Sequence, residues 1–201
     1  MRKLLSAVLL ASIVISGCEK TNNEECTYVV NNATSVAEWK GSAPDHFHVG
    51  SFEVQGSVTT TEDGTIKDGK FIIPIASIQD FDLTDAAVRE QLLGHLKSAD
   101  FFNMALYPNA EFEITKIEAY SGQDGITGAN KLVTGNFTMT GQTHPISFPA
   151  SINYVGDSLK VASTFKIDRT KWGMTKYNDP EDAEYLLPNA DITLNIQAAK
   201  Q

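Results

Sequence analysis

The feature that most constrains this chain is a period-two alternation of apolar and polar residues that recurs from Thr27 to Gln197. Successive side chains of a strand point to opposite faces, so this period commits a segment to half-buried β-structure. It is clearest in "VTGNFTMTGQTHPISFPASINY". There Val133, Gly135, Phe137 and Met139 fall on one side. After a turn through Gly141–Pro145, Ile146, Phe148, Ala150, Ile152 and Tyr154 share a face. "AEFEITKIEAY", "LKVASTFKI" and "DITLNIQ" repeat the pattern, and Val155–Ser158 and Thr60–Gly64 supply tight turns. In "HFHVGSFEVQGSV" the parity shared by Phe47 and Val49 differs from that of Phe52, Val54 and Val58, which predicts a β-bulge next to Gly50. Pro74, inside "KFIIPIASI", has no amide donor and predicts an edge or irregularity there.

The alternation stops once. "LTDAAVREQLLGHLKSADFF" reads as a helix with Thr84 as N-cap, Leu83 and Val88 as a hydrophobic staple, and Val88, Leu92 and Leu96 as its buried stripe. Gly94 predicts a weak last turn. About eight strands with one helix between them, and no internal repeat, predict an all-β fold: an antiparallel barrel closed on itself. A barrel of about eight strands is filled by its own side chains or holds one slim ligand.

The first residues carry an address. "MRKLLSAVLLASIVISGC" has a basic start, an apolar run and small residues before Cys18, the layout of a secretory signal. Ile15–Cys18 resembles the bacterial lipobox, in which the cysteine is lipidated. The expected organisation is a signal peptide at 1–17, a polar tether at 18–26 and one barrel domain at 27–201, on an exported lipoprotein held at the periplasmic side or the cell surface. With Cys18 acylated, Cys26 is left as a single idle tether thiol, so no disulfide staples the fold. The formal net charge of −9 gives no electrostatic basis for binding nucleic acid.

Three spaced blocks resemble the YceI-like family. They are "HLKSADFFNMALYPNAEFEIT" through Asp100, Phe101, Phe102, Tyr107, Pro108 and Phe112; "GNFTMTGQTHPISF"; and "FKIDRTKWGM", where Trp172 takes the family's aromatic place. Trp39–Gly41 and His46–His48 depart from the commonest family opening. The resemblance implies a lipocalin-like barrel, no catalytic residues, no cofactor, and an apolar tube for a polyisoprenoid or another long-chain amphiphile such as a quinone or fatty acid. From alternation alone a packed core and a ligand tube are both open; the resemblance implies the tube. Its expected lining is Phe47, Phe52, Phe71, Phe112, Phe137, Met139, Phe148, Ile152, Phe165 and Trp172.

Arg169 is the candidate for an anionic headgroup, since a guanidinium matches phosphate or carboxylate, against a structural role at a strand corner. His46 and His48, two apart on a strand, admit a metal pair, against ordinary hydrogen-bonding histidines. His144 reads as a turn residue and His95 as a helix-end residue. Asp80, Asp82, Asp85 and the acidic run Asn178–Glu184 read as solvated loops or caps. No nucleophile elbow, Cys–His pair or phosphate loop is present, so the expectation is a binding protein and not an enzyme. The sequence leaves a homodimer open.

Overall fold

The computed structural model describes residues 25–201; the signal segment, Cys18 and most of the tether lie outside the described residues. In chain order the elements are β1 (Glu25–Val30), β2 (Val36–Ser42), β3 (Phe47–Glu53), β4 (Gln55–Thr61), β5 (Ile66–Pro74), β6 (Gln79–Asp80), α1 (Ala86–Lys97), β7 (Asn109–Ala119), β8 (Lys131–Met139), β9 (Gln142–Val155), β10 (Ser158–Asp168) and β11 (Asn189–Lys200).

All eleven strands join one antiparallel sheet, and β11 pairs back onto β1 through Val30↔Ala198. The closed ring is β1-β4-β5-β7-β8-β9-β10-β11. The other three strands prolong members of that ring. β2 continues the path of β1 along β11, from Val36↔Asn195 to Lys40↔Asp191. β3 pairs with β2 and runs through Val54 into β4, while β6 follows β5 after a 3-10 turn at Ile75–Ser77. Eleven segments therefore make eight staves, three of them broken, and closure removes the unpaired edges that an open sheet leaves exposed.

The expected bulge at Gly50 is not there. β2 and β3 stay in one register from Val36↔Glu53 to Ser42↔Phe47, and the slips fall at Thr59/Thr60 and Ile114/Lys116. Gly50 is needed for close approach instead. A Cβ on it would lie 1.8 Å from the Gln79 carbonyl oxygen and 2.8 Å from the Trp39 indole. Without a bulge the parity never flips, so His48, Gly50 and Phe52 share one face while Phe47 and Val49 take the other.

Asp85, not Thr84, caps α1, its carboxylate accepting from the Ala87 and Val88 amides. Val88 is exposed and takes no part in the stripe; Leu92 and Leu96 face inward as expected, and Leu93 packs beside them. The helix runs past Gly94 to Lys97, ending on its own cap at Ser98. The β8–β9 turn is tighter than expected, two residues, Thr140 and Gly141, with φ of 51° and 74°. His144 and Pro145 are therefore strand residues. Pro74 closes β5, where its missing donor costs the ladder nothing. Cys26 belongs to β1 and packs against the barrel core as a free, half-buried thiol, so the barrel begins within the stretch expected to be tether.

Two apolar clusters hold the structure. One lies inside the barrel around Tyr28, Val58, Phe112, Phe148, Leu159 and Ile196. The second sits at the other end, where Phe52, Ile75, Ile78, Met139, Trp172 and Met174 meet Leu93, Leu96 and Phe102. Each fully buried large side chain stabilises the fold by about 1.5–3 kcal/mol.

Candidate ligand-binding site

A cavity of about 750 Å³ runs up the barrel axis. Its floor is made by Val30, Val58, Leu159 and Ala198, all at least nine-tenths buried. Above it stand residues that point inward from strands paired on both sides, yet keep accessible surface: Phe71, Ile114, Phe137, Val161, Phe165 and Leu194. An inward side chain in a filled barrel has no surface left to expose. The interior is therefore a hollow tube and not a self-filled core.

Aromatic rings form one wall. Phe71, Phe112, Phe148 and Phe165 follow one another with centroid separations of 6.4, 5.6 and 4.3 Å, the last pair stacked at 7°. Phe112 and Phe148 belong to strands that flank β8, and Gly135 of β8 is what lets them meet. A Cβ there would lie 2.4 Å from Phe112 Cζ. An alternating strand with glycine in its apolar register is the sequence signal for that contact.

Of the ten expected lining residues, Phe52, Phe71, Phe112, Phe137, Met139, Phe148, Ile152 and Phe165 line the tube. Phe47 does not. It is 51% exposed on the outer face, under the Lys40 ammonium at 4.1 Å, because the register it was read in does not slip. Trp172 does not either. The 3-10 turn Arg169–Trp172 swings its indole beside the wall, where it packs on Phe137 and His144 and donates to the Phe137 carbonyl at 3.1 Å. Trp39, Leu92, Leu96 and the aliphatic residues of β5 and β11 line the tube as well; the aliphatic ones share the parity of the expected aromatics, and the two leucines come from the stripe expected on α1.

The mouth is built from the Ser42–His46 turn, α1 with Phe101 and Phe102, and a lid at 177–187. Arg169 holds that lid. It is 8% exposed, and all five of its N–H groups go to backbone carbonyls: Nε to Leu187 (3.3 Å), one terminal nitrogen to Met174 and Lys176 (3.0 Å), the other to Tyr177 (3.3 Å) and Leu186 (3.0 Å). Burial lowers its pKa from the ordinary arginine value, opposed by Asp168. No donor is left for a headgroup, so Arg169 is a structural clamp. The acidic run Asn178–Glu184 is a solvated loop, as expected, and it also borders the mouth through Asp182 and Glu184.

His46 and His48 lie edge to face, 5.7 Å apart, and each turns Nδ1 to a carboxylate of its own. His46 Nδ1 sits 2.7 Å from Asp45, and His48 Nδ1 sits 2.8 Å from Asp82 Oδ2. Burial works against the ionised Asp82, yet the Val49 amide and His48 together hold its pKa below the usual carboxylate value. His48, Asp80 and Asp82 do bring three ligand atoms within 4.8 Å of one another, the one such group among the described residues. One imidazole and two carboxylates are donors suited to a borderline divalent cation. Asp80 Oδ2 and Trp39 Nε1, both buried without a protein partner, stand in one cross-strand row through Gly50. His144 Nε2 is likewise buried and unpartnered, beside Trp172.

An eight-staved antiparallel barrel around an apolar tube defines a lipocalin-like barrel protein. The YceI-like domain model matches residues 28–199, and the chain belongs to that family. Curated relatives include Protein YceI of Salmonella arizonae, 27% identical over 107 residues, which cover 53% of this chain and 46% of that protein. The matched stretch thus spans about half the length of such relatives. Among solved structures, Burkholderia cenocepacia BcnA superposes with a TM-score of 0.68 at 19% identity, over 85% of this chain and 99% of that one. A polyisoprenoid-binding domain from Saccharophagus degradans, implicated in plant cell wall breakdown, gives 0.62 at 10% identity, over 87% and 98%. Campylobacter jejuni YCEI gives 0.57 at 18% identity, over 74% and 81%. At these identities the likeness establishes the fold.

Proposed function

We propose that this protein binds a single long-chain amphiphile of isoprenoid type in the barrel lumen and carries or sequesters it, without catalysis, as a lipid-anchored lipoprotein of the bacterial envelope. The observation that carries the reading is the apolar tube of about 750 Å³, closed at one end and opening beside exposed polar residues at the other. That size lies within the roughly 300–1,000 Å³ of small-molecule sites. The driving force is desolvation, about 25 cal/mol for each Å² of chain removed from water. A wall of apolar side chains grips a hydrocarbon without demanding a particular one, and the polar end of the guest stays at the mouth. The polyisoprenoid-binding domain of similar fold supports an isoprenoid guest.

Organic extraction of protein purified from its native membrane, read by mass spectrometry, is expected to release one long-chain lipid per chain. A tube that comes out empty, and that takes up no isoprenoid in vitro, would end the proposal. For the anchor, Cys18→Ser is expected to move the protein from the membrane to the soluble fraction; unchanged fractionation refutes lipidation at that residue.

A further inference from the structure

We propose that the mouth selects guests with an uncharged head, such as long-chain alcohols or amides, and turns away phosphate and carboxylate heads. The inference rests on the binding function proposed above and specifies its substrate class.

Each cation at the mouth is already committed. Arg169 spends all five N–H groups on lid carbonyls. The three histidines on the lining each face a carboxylate of their own: His46 with Asp45 at 2.7 Å, His48 with Asp82 at 2.8 Å, and His95 with Asp100 at 3.0 Å. A protonated imidazole in any of these pairs is neutralised before a guest arrives. Two lysines lie nearby, each over an aromatic ring: Lys40 above Phe47 on the outer face and Lys176 4.9 Å from the ring of Tyr177. Neither is part of the lining.

The carboxylates are not balanced in the same way. Asp182 and Glu184 are exposed residues of the lid that border the mouth, and neither meets a cationic side chain within 4.0 Å among the described residues. Asp182 Oδ1 accepts only the Glu184 amide, at 3.0 Å. Tyr177 reports the same field from beside them: burial, and then the nearby carboxylates of Glu184, Asp100 and Asp182, raise its pKa above the ordinary tyrosine value.

An anionic head entering here would lose part of its hydration, meet two like charges and find no free cation or saturated donor set to replace water. Exclusion by an unmatched charge is an ordinary route to specificity. A hydroxyl or amide head suffers none of these costs and can donate a hydrogen bond to either carboxylate.

The test is displacement of a neutral probe, Nile red, from delipidated full-length protein by two matched pairs: farnesol with farnesyl phosphate, and hexadecanol with palmitate. The alcohol of each pair is expected to displace the probe at concentrations at least ten-fold lower than its anionic partner. The gap should narrow several-fold in the Asp182→Asn/Glu184→Gln double variant and at high salt. Equal or tighter binding of the anions, or a gap that the double variant leaves unchanged, overturns the inference while leaving the carrier function standing. If none of the four compounds binds, by displacement or by native mass spectrometry, the carrier function itself falls and the head-group selection with it.

Discussion

Val161→Phe puts the hollowness of the barrel to a quantitative test. Val161 points inward from the first half of β10, paired with Ile152 on one side and Ile196 on the other, and it lines the tube while keeping accessible surface. Phenylalanine adds four carbons there. Taking each as about the ~30 Å³ that a water molecule occupies in the liquid, the ring needs roughly 120 Å³ more than valine. The cavity of about 750 Å³ has that space several times over. In a filled core the same insertion forces neighbours off their rotamers and costs about 1–3 kcal/mol. Here the added ring enters empty space and loses only the water-accessible lumen around it. The unfolding free energy from guanidinium titration is therefore expected to change by less than about 0.5 kcal/mol, against the 1–3 kcal/mol of an overpacked site. Lipid recovered by extraction should fall severalfold, because the ring blocks the channel partway along its length. A loss of 1–3 kcal/mol in lipid-free protein would show that the space beside Val161 is not there, and the tube with it.

Three other substitutions have definite expectations. Arg169→Leu strips five carbonyls of their donor and should destabilise the protein by about 2–4 kcal/mol, with limited proteolysis moving first into residues 174–187; an intact lid would refute the clamp. Asp82 has a depressed folded-state pKa, so its stabilisation is present above the ordinary carboxylate pKa and is lost as pH falls through the folded value. Asp82→Asn is expected to cost about 1–2 kcal/mol at pH 7 and to flatten the acid limb of the stability curve; an unchanged pH profile would show that the pair with His48 and Val49 contributes nothing. Gly50→Ala drives a methyl into the Gln79 carbonyl and should cost more than about 2 kcal/mol, read as a lowered melting temperature; tolerance would mean that β6 does not lie against β3.

What the sequence disclosed and what it withheld follow from the range of the interactions involved. Period two is a local property of one strand, so β7 to β11 and the β9–β10 turn were legible, and closure followed from having about eight strands. The three broken staves were harder to see, because Val54, the Asn31–Ser35 turn and the 3-10 turn at Ile75–Ser77 split each stave into pieces whose continuity exists only across the sheet. Gly50 shows the same limit at one residue. A glycine at an apparent parity change is read locally as a bulge, yet its smallness serves two groups brought in from elsewhere: a carbonyl of β6 and an indole of β2. Misplacing that bulge turned Phe47 inward, since one residue of register decides which face a side chain takes.

The mouth was the least legible part, and the reason is chemical. An apolar wall can be recognised one strand at a time, but a headgroup site depends on which charges remain unbalanced once the chain has folded. Arg169 looks like an anion receptor in the sequence because its carbonyl partners, at 174–187, are backbone groups with no side-chain signature. Asn178–Glu184 looks like solvated loop and is one, but nothing local says that Asp182 and Glu184 will also border a channel. The fold reverses the first reading and adds to the second: the clamp that consumes the guanidinium also holds the exposed loop of the two carboxylates at the entrance. Arg169→Leu should therefore loosen the anion exclusion as well as the lid, by releasing Asp182 and Glu184 from the mouth.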